Sequence, residues 1–316
     1  MNLEQYYPDI ISSISELVRI PTVYDAASVT PIMPYGKYIH EGYEWLKRKA
    51  LSDGFEVLEF DGHALAIRIP GNSTGERIDV ISHLDVVAPG DGWLADPFSG
   101  EVSGGFIHGR GTQDMKAALM LTYYALKYIK DHGIPLKREL RVVIGCDEER
   151  TMEDMKYYAR KSGVPAFAFT PDGRFPYTLG EKGALMWSVE GHMETCMEAL
   201  EGGIQCNVVS PEAWALIRCG QSADAYRNML EQKGYPGEVS REGDRIRLRV
   251  LGKAAHASRP EDGANATVRL LELVACVSAD PLADLLYRCF SDHNGKGAGL
   301  DYDIAPMGKL TMNLGV

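Results

Sequence analysis

Three strand candidates, residues 77–82, 140–145 and 166–170, are each followed by acidic or histidine residues. His83 and Asp85 follow the first, Asp147, Glu148 and Glu149 the second, and Asp172 the third. Residues 140–145 are a continuous apolar run, as strands buried on both faces of a parallel sheet are. Helical patterns fall between and before them at 8–19, 36–52, 113–132 and 151–162. In the third, Met115, Leu119, Leu126 and Ile129 share one stripe and Thr112 is the expected N-cap. The fourth opens on Thr151-Met152-Glu153-Asp154, which resembles a capping box. Residues 55–60 and 64–69 are strand candidates around an Asp61-Gly62 turn signal. Strands alternating with helices predict a layered α/β domain with a mostly parallel sheet.

In open α/β sheets ligands bind outside the carboxyl ends of the strands. If the three runs are parallel neighbours, their acids and His83 meet along one edge, with Asp114 as a fourth contributor. Each residue alone has a plain structural reading. His83 can be a loop imidazole held by Asp85, Asp114 and Glu148-Glu149 can complement helix N-termini, and Asp172 before Gly173 can be turn chemistry. Together these readings weaken, because carboxylates crowded in one crevice raise each other's pKa or require a cation. One imidazole plus several carboxylates, without a thiolate, suits zinc, manganese or cobalt in a hydrolytic site. There are enough oxygen donors for two ions sharing a carboxylate, with one carboxylate left as general base.

Beyond Gly183 the texture changes. Residues 184–190, 213–218 and 245–251 alternate like half-exposed strands, and 223–232 and 265–275 read as helices. This predicts a smaller α+β, ferredoxin-like domain over 183–316, hinged at 180–183 to a catalytic domain over 1–182. Residues 309–316 read as a strand that stops without a turn, which gives the expectation of a piece of a longer architecture.

The chain has 316 residues, 33 Lys and Arg against 44 Asp and Glu, and a formal charge of −11. That balance disfavours nucleic-acid binding. No apolar stretch is long enough to span a bilayer, and the start lacks a secretory pattern, so a soluble cytoplasmic protein is expected. Six scattered cysteines (Cys146, Cys196, Cys206, Cys219, Cys276, Cys289) form no C-x-x-C pair and read as reduced, mostly buried thiols. Gly109-Arg110-Gly111 begins a dinucleotide fingerprint that breaks at Asp114. Neither a phosphate loop nor a G-x-S-x-G elbow is present.

In order, S-H-L-D-V-V at 82–87, G-W-L-A-D-P-F at 92–98, G-R-G-T-Q-D-M-K at 109–116, D-E-E-R at 147–150, T-P-D-G-R-F-P at 170–176 and G-E-K-G at 180–183 resemble the aminoacylase/desuccinylase superfamily of zinc metallopeptidases. The PepV-type cytosolic dipeptidases are the nearest likeness. The resemblance implies two zinc ions, with His83 and Asp172 on one, Asp114 bridging, and Glu149 on the other. It implies Glu148 as the general base toward water and Asp85 as the partner that fixes His83. In the smaller domain it implies His256, in K-A-A-H at 253–256, as oxyanion stabiliser, and Asn207 as a substrate-binding residue. Met115 stands where PepV-type enzymes often carry another acid. The family's last zinc-binding histidine and a substrate-carboxylate arginine have no counterpart here, so weak second-ion binding and little turnover are expected of these 316 residues alone.

The implied reaction is hydrolysis of small dipeptides, with a small peptide as partner and neither nucleic acid nor membrane. Relatives of this kind include homodimers as well as monomers with an enlarged smaller domain. An N-acyl-amino-acid amidohydrolase is the same-chemistry rival, and a truncated, non-catalytic binding protein the rival of another class.

Overall fold

The computed structural model describes residues 3–72, 76–90, 92–173, 176–178, 180–218 and 220–316. Cys219, and Arg174 and Phe175 of the 170–176 motif, lie outside the described residues, as do three positions of the polar loop before residue 77. The chain divides into two compact units, Met1–Thr178 and Leu179–Val316.

The first unit begins with α1 (Tyr7–Arg19) and α2 (Lys37–Ser52), then β1 (Glu56–Phe60), β2 (Ala64–Ile69) and β3 (Arg77–His83). A hairpin of β4 (Glu101–Ser103) and β5 (Phe106–His108) precedes α3 (Ala117–Asp131), β6 (Glu139–Gly145), α4 (Glu153–Ser162) and β7 (Phe167–Phe169). Among the described residues a five-stranded sheet runs β1-β2-β6-β3-β7. β3 lies between β6 and β7 and is parallel to both, while β1 and β2 add an antiparallel edge. Asp61 and Gly62 take positive φ of 49° and 76° in the β1–β2 turn, a conformation that Asp and Gly tolerate.

The period-two alternation of the strands splits the core between two faces. Leu65, Ile67, Val142 and Ile144 meet Leu17, Leu46, Leu119 and Tyr123 of α1, α2 and α3. Ala64, Ala66 and Val143 face the other way, against Tyr158 of α4. Buried Asp79 on β3 accepts from the Tyr158 hydroxyl (2.8 Å) and from Arg77 Nε (3.2 Å), which fastens α4 to the sheet.

In the second unit β8 (Met197–Gly202), β9 (Glu212–Ile217), α5 (Ala223–Lys233), β10 (Gly237–Glu242) and β11 (Arg245–Leu251) precede α6 (Ala266–Ser278) and α7 (Pro281–Phe290). The small hairpin β12 (Asp303–Ile304) and β13 (Gly308–Lys309) follows. The sheet order is β10-β11-β9-β8, antiparallel throughout. β9-α5-β10-β11-α6 is a ferredoxin-like run in which β8, first in sequence, fills the place of the usual last strand. α5 and α6 carry Ser222 and Asn265 as side-chain N-caps. α7 opens on Asp280, which caps Ala283 N–H at 2.8 Å, with Pro281 at its first position.

Several expectations are corrected. The helix read from residue 113 starts at Ala117. Thr112–Lys116 is an irregular turn in which Asp114 and Met115 leave helical φ/ψ, and Thr112 makes no cap. The capping box at 151–154 does not form. Met152 sits at the N-cap with φ 54°, while the Thr151 hydroxyl goes to Asp147 and the Asp154 carboxylate to backbone amides upstream. β7 is an exposed edge strand, because among the described residues only β3 flanks it. Residues 184–190 form no strand. Leu185, Trp187 and Val189 are exposed, and no neighbouring strand supplies a ladder for them among the described residues.

Residues 310–316 are not a strand either. Their polar groups are met one by one, with Leu310 N–H on Tyr302 O, Met312 N–H on His293 O, and Asn265 Nδ2 on Leu314 O. Of the described cysteines only Cys146 is buried, since Cys206 and Cys276 are exposed and Cys196 and Cys289 half-buried. Among the described residues no helix is long and apolar enough to cross a membrane.

Candidate metal centre

The parallel order β6-β3-β7 carries three chain points to one sheet edge, because each strand leaves the sheet on the same side. His83 is the last residue of β3 and is buried. Asp172 follows β7, and Glu148 and Glu149 follow β6. Asp114 comes from the irregular turn before α3. His83 Nε2 lies 3.1 Å from Asp114 Oδ1, 3.2 Å from Asp172 Oδ2 and 3.8 Å from Glu148 Oε2. His83, Asp114 and Asp172 each offer one donor atom to a group whose members all lie within 4.8 Å of one another.

The histidine tautomer decides what this group needs. His83 Nδ1 donates to the Asp85 backbone carbonyl at 2.9 Å, with the Asp85 carboxylate 3.5 Å away. Nε2 is therefore the free nitrogen, and it points at two carboxylate oxygens. Two anions around a lone pair require a proton or a cation between them. Without a metal, the proton fills that role. Burial alone lowers the His83 pKa, but the hydrogen bonds of Asp114, Asp172 and Asp85 overcome it and push it up to about 12. A borderline divalent ion with nitrogen and carboxylate ligands fits the same place, with His83, Asp114 and Asp172 as the residues able to hold it.

Asp85 does two jobs. Its carbonyl orients His83, and its buried carboxylate accepts the N–H groups of Glu148 (3.2 Å) and Glu149 (3.0 Å). Glu149 lies outside the close donor group but within reach of its charge. Burial, then Asp114, pushes its pKa up to about 7. Burial also raises Glu148, against the lowering effect of His83. Asp147, one of the acids expected at this edge, is buried and structural. Its carboxylate holds Thr151 and Arg150, and its carbonyl accepts the N–H groups of Arg150, Thr151 and Met152.

His256 and Asn207 lie in the second unit, both exposed. They share one neighbourhood there: Val208 bridges His256, and the Asn207 carbonyl accepts the Ala257 N–H at 2.8 Å. His256 Nδ1 is 2.7 Å from the Ser258 hydroxyl.

Three supports were not legible in the sequence. Met115 Sδ accepts the His83 N–H at 3.2 Å, Lys116 Nζ donates to the Leu17 and Ile20 carbonyls, and Asp154 Oδ2 accepts the N–H groups of Cys146 (2.6 Å) and Asp147 (2.9 Å). Each reaches a distant part of the chain or a site loop, so no local spacing announces it.

An α/β unit that gathers an imidazole and carboxylates beyond its parallel strands defines a metal-dependent hydrolase. Residues 80–300 match the model of "Peptidase family M20/M25/M40", and the chain belongs to that family. Among its relatives, "Putative dipeptidase YtjP" of Bacillus subtilis is 30% identical over 322 residues, covering 97% of this chain and 69% of its own length. A Staphylococcus haemolyticus protein of the same dipeptidase description is 28% identical, covering 99% of this chain and 70% of its own. Among solved structures, human carnosine dipeptidase 1 aligns with a TM-score of 0.45 at 11% identity, covering 87% of this chain and 75% of that one.

The protonation pattern predicts how metal uptake responds to pH. A cation must displace the proton held by His83 up to about 12 and the fraction held by Glu149 near 7. Uptake at neutral pH is expected to release protons, and affinity to fall as pH is lowered. Calorimetry in buffers of different ionisation enthalpy measures the release. The metal-free stability runs the other way. Both folded pKa values are raised, so these groups stabilise the fold at low pH, and Glu149 loses its contribution between about 4.5 and 7. Thermal melts of the metal-free chain across that window check the sign.

Proposed function

We propose that this chain is a zinc-dependent dipeptidase of the PepV type, which cleaves the single peptide bond of small unblocked dipeptides. The observation that carries the reading is the convergence of His83 Nε2, Asp114 Oδ1 and Asp172 Oδ2, with Glu148 Oε2 3.8 Å from the same ring nitrogen. Its relatives named as dipeptidases support the substrate class.

In this reading His83 and Asp172 would hold one zinc ion and Glu149 the second, with Asp114 contributing to both; manganese or cobalt would be substitutes. When bound, such ions supply Lewis acidity toward a carbonyl oxygen and toward water. Glu148 takes the proton from the attacking water at its carboxylate and passes it to the leaving amine. A base in this role works best near neutrality, and burial shifts Glu148 in that direction. Asp85 keeps Nε2 of His83 available by engaging Nδ1, and keeps Glu148 in place through its backbone. His256 stabilises the developing oxyanion, and Asn207 binds substrate.

The test is to strip the chain of metal, add zinc, manganese or cobalt, and measure bound ions together with hydrolysis of an Ala-Ala-type dipeptide. N-acetyl and N-succinyl amino acids run in parallel. One firmly held ion, a second held much more weakly, and a preference for the dipeptide within a low turnover are expected. Preference for an N-acyl amino acid moves the reading to the amidohydrolases, and absence of bound metal ends it.

A further inference from the structure

Lys116 is fully buried, and the cluster described above makes no use of it. Its ammonium donates to two backbone carbonyls, Leu17 O at 3.0 Å and Ile20 O at 2.8 Å. Both lie at the C-terminal end of α1, Ile20 as its C-cap, where the helix dipole is negative, and each also accepts one backbone N–H, from Ile20 and Thr22 respectively. Burying an ammonium is costly even after relaxation. An unbranched apolar side chain fills the same space without that cost. A lysine at this position therefore has a task beyond filling volume.

Its place in the chain indicates the task. Between Gly111, at φ 79°, and Ala117, where α3 starts, Asp114 (φ −117°, ψ 99°) and Met115 (φ −128°, ψ 29°) depart from helical geometry. The helix ladder therefore does not hold the backbone at Asp114. It is held from the flank instead: Met115 Sδ accepts the His83 N–H, Lys116 N–H donates to Gly111 O at 2.9 Å, and the Lys116 side chain reaches α1. The Asp114 side chain itself is 64% exposed. With so little packing around the carboxylate, its position beside His83 depends on the backbone beneath it.

We infer that Lys116 is a positioning residue which, by fastening the kinked turn to the end of α1, holds Asp114 at His83 and so sets the affinity for the divalent cation. This rests on the metal-centre reading above. The effect falls on coordination rather than on the fold, because a buried charge exchanged for an apolar side chain of similar volume is often close to neutral for stability.

Zinc affinity, read by competition with a chromophoric chelator, and the visible spectrum of the cobalt-loaded chain test this. Lys116→Met is expected to melt within a few degrees of the native chain, bind zinc about 10- to 100-fold more weakly, and shift the cobalt bands. Made on top of Asp114→Asn, the same substitution is expected to add almost nothing, since the carboxylate it positions is already gone. Equal losses in the two backgrounds overturn the inference, as does a folded Lys116→Met chain with native zinc affinity and spectrum. If Lys116→Met does not fold, Lys116→Leu takes its place. Failure of both shows that the ammonium supports the whole unit, which also overturns the inference. A native chain that takes up no zinc removes the metal centre, and this role with it.

Discussion

Glu148→Gln is expected to reduce dipeptide turnover by about 10²–10⁴-fold while leaving zinc uptake within a factor of a few. The amide keeps the shape of the carboxylate, and the backbone of residue 148 remains tied to Asp85 through its N–H. What disappears is the ability to accept a proton. Metal analysis beside turnover of the same preparation separates the two effects. A Glu148→Gln chain of native activity removes this residue from the reaction. A chain that loses its zinc shows that Glu148 acts as a ligand instead.

Asp154→Ala is expected to give the largest loss of stability. Asp154 is fully buried, and one of its oxygens accepts two consecutive N–H groups where β6 leaves the sheet. Alanine leaves both donors buried without an acceptor, at about 1–3 kcal/mol each, or roughly 2–6 kcal/mol together. Denaturant titration at unchanged m-value measures this. Asp154→Asn keeps an acceptor oxygen and is expected to recover most of the loss. The same substitution tests a coupling within the site. Residues 146–149 offer four successive N–H groups, the first two taken by Asp154 and the next two by Asp85. Loosening the first pair is expected to weaken zinc binding as well.

The sheet was legible in the sequence where burial dictates composition. The run that became β6 carries Val142, Val143 and Ile144 in succession because both faces of the strand are covered there, and Ile78, Val80 and Ile81 mark β3 in the same way. The parallel neighbourhood of β6, β3 and β7 follows from the same pattern, and with it the meeting of His83, Asp114 and Asp172. Legibility failed where the tertiary context decides. Met115 lies on an apolar stripe and reads as helix, yet it is bent out of helical geometry beside the site and serves His83 through its sulfur. Residues 184–190 alternate as a strand does, but alternation does not supply a neighbour. Phe167 and Phe169 read as buried, yet they occupy a sheet edge and are exposed. Lys116 and Asp154 gave no signal, because a side chain bonded to remote backbone leaves no trace in local spacing.

β7 grips the sheet through only three residue pairs, all with β3, and both of its phenylalanines face solvent. Local opening starts where contacts are fewest, so this strand frays before its neighbours, and Asp172 departs with it. An ion that used Asp172 would then be expected to lose that ligand whenever this short peripheral ribbon peels away.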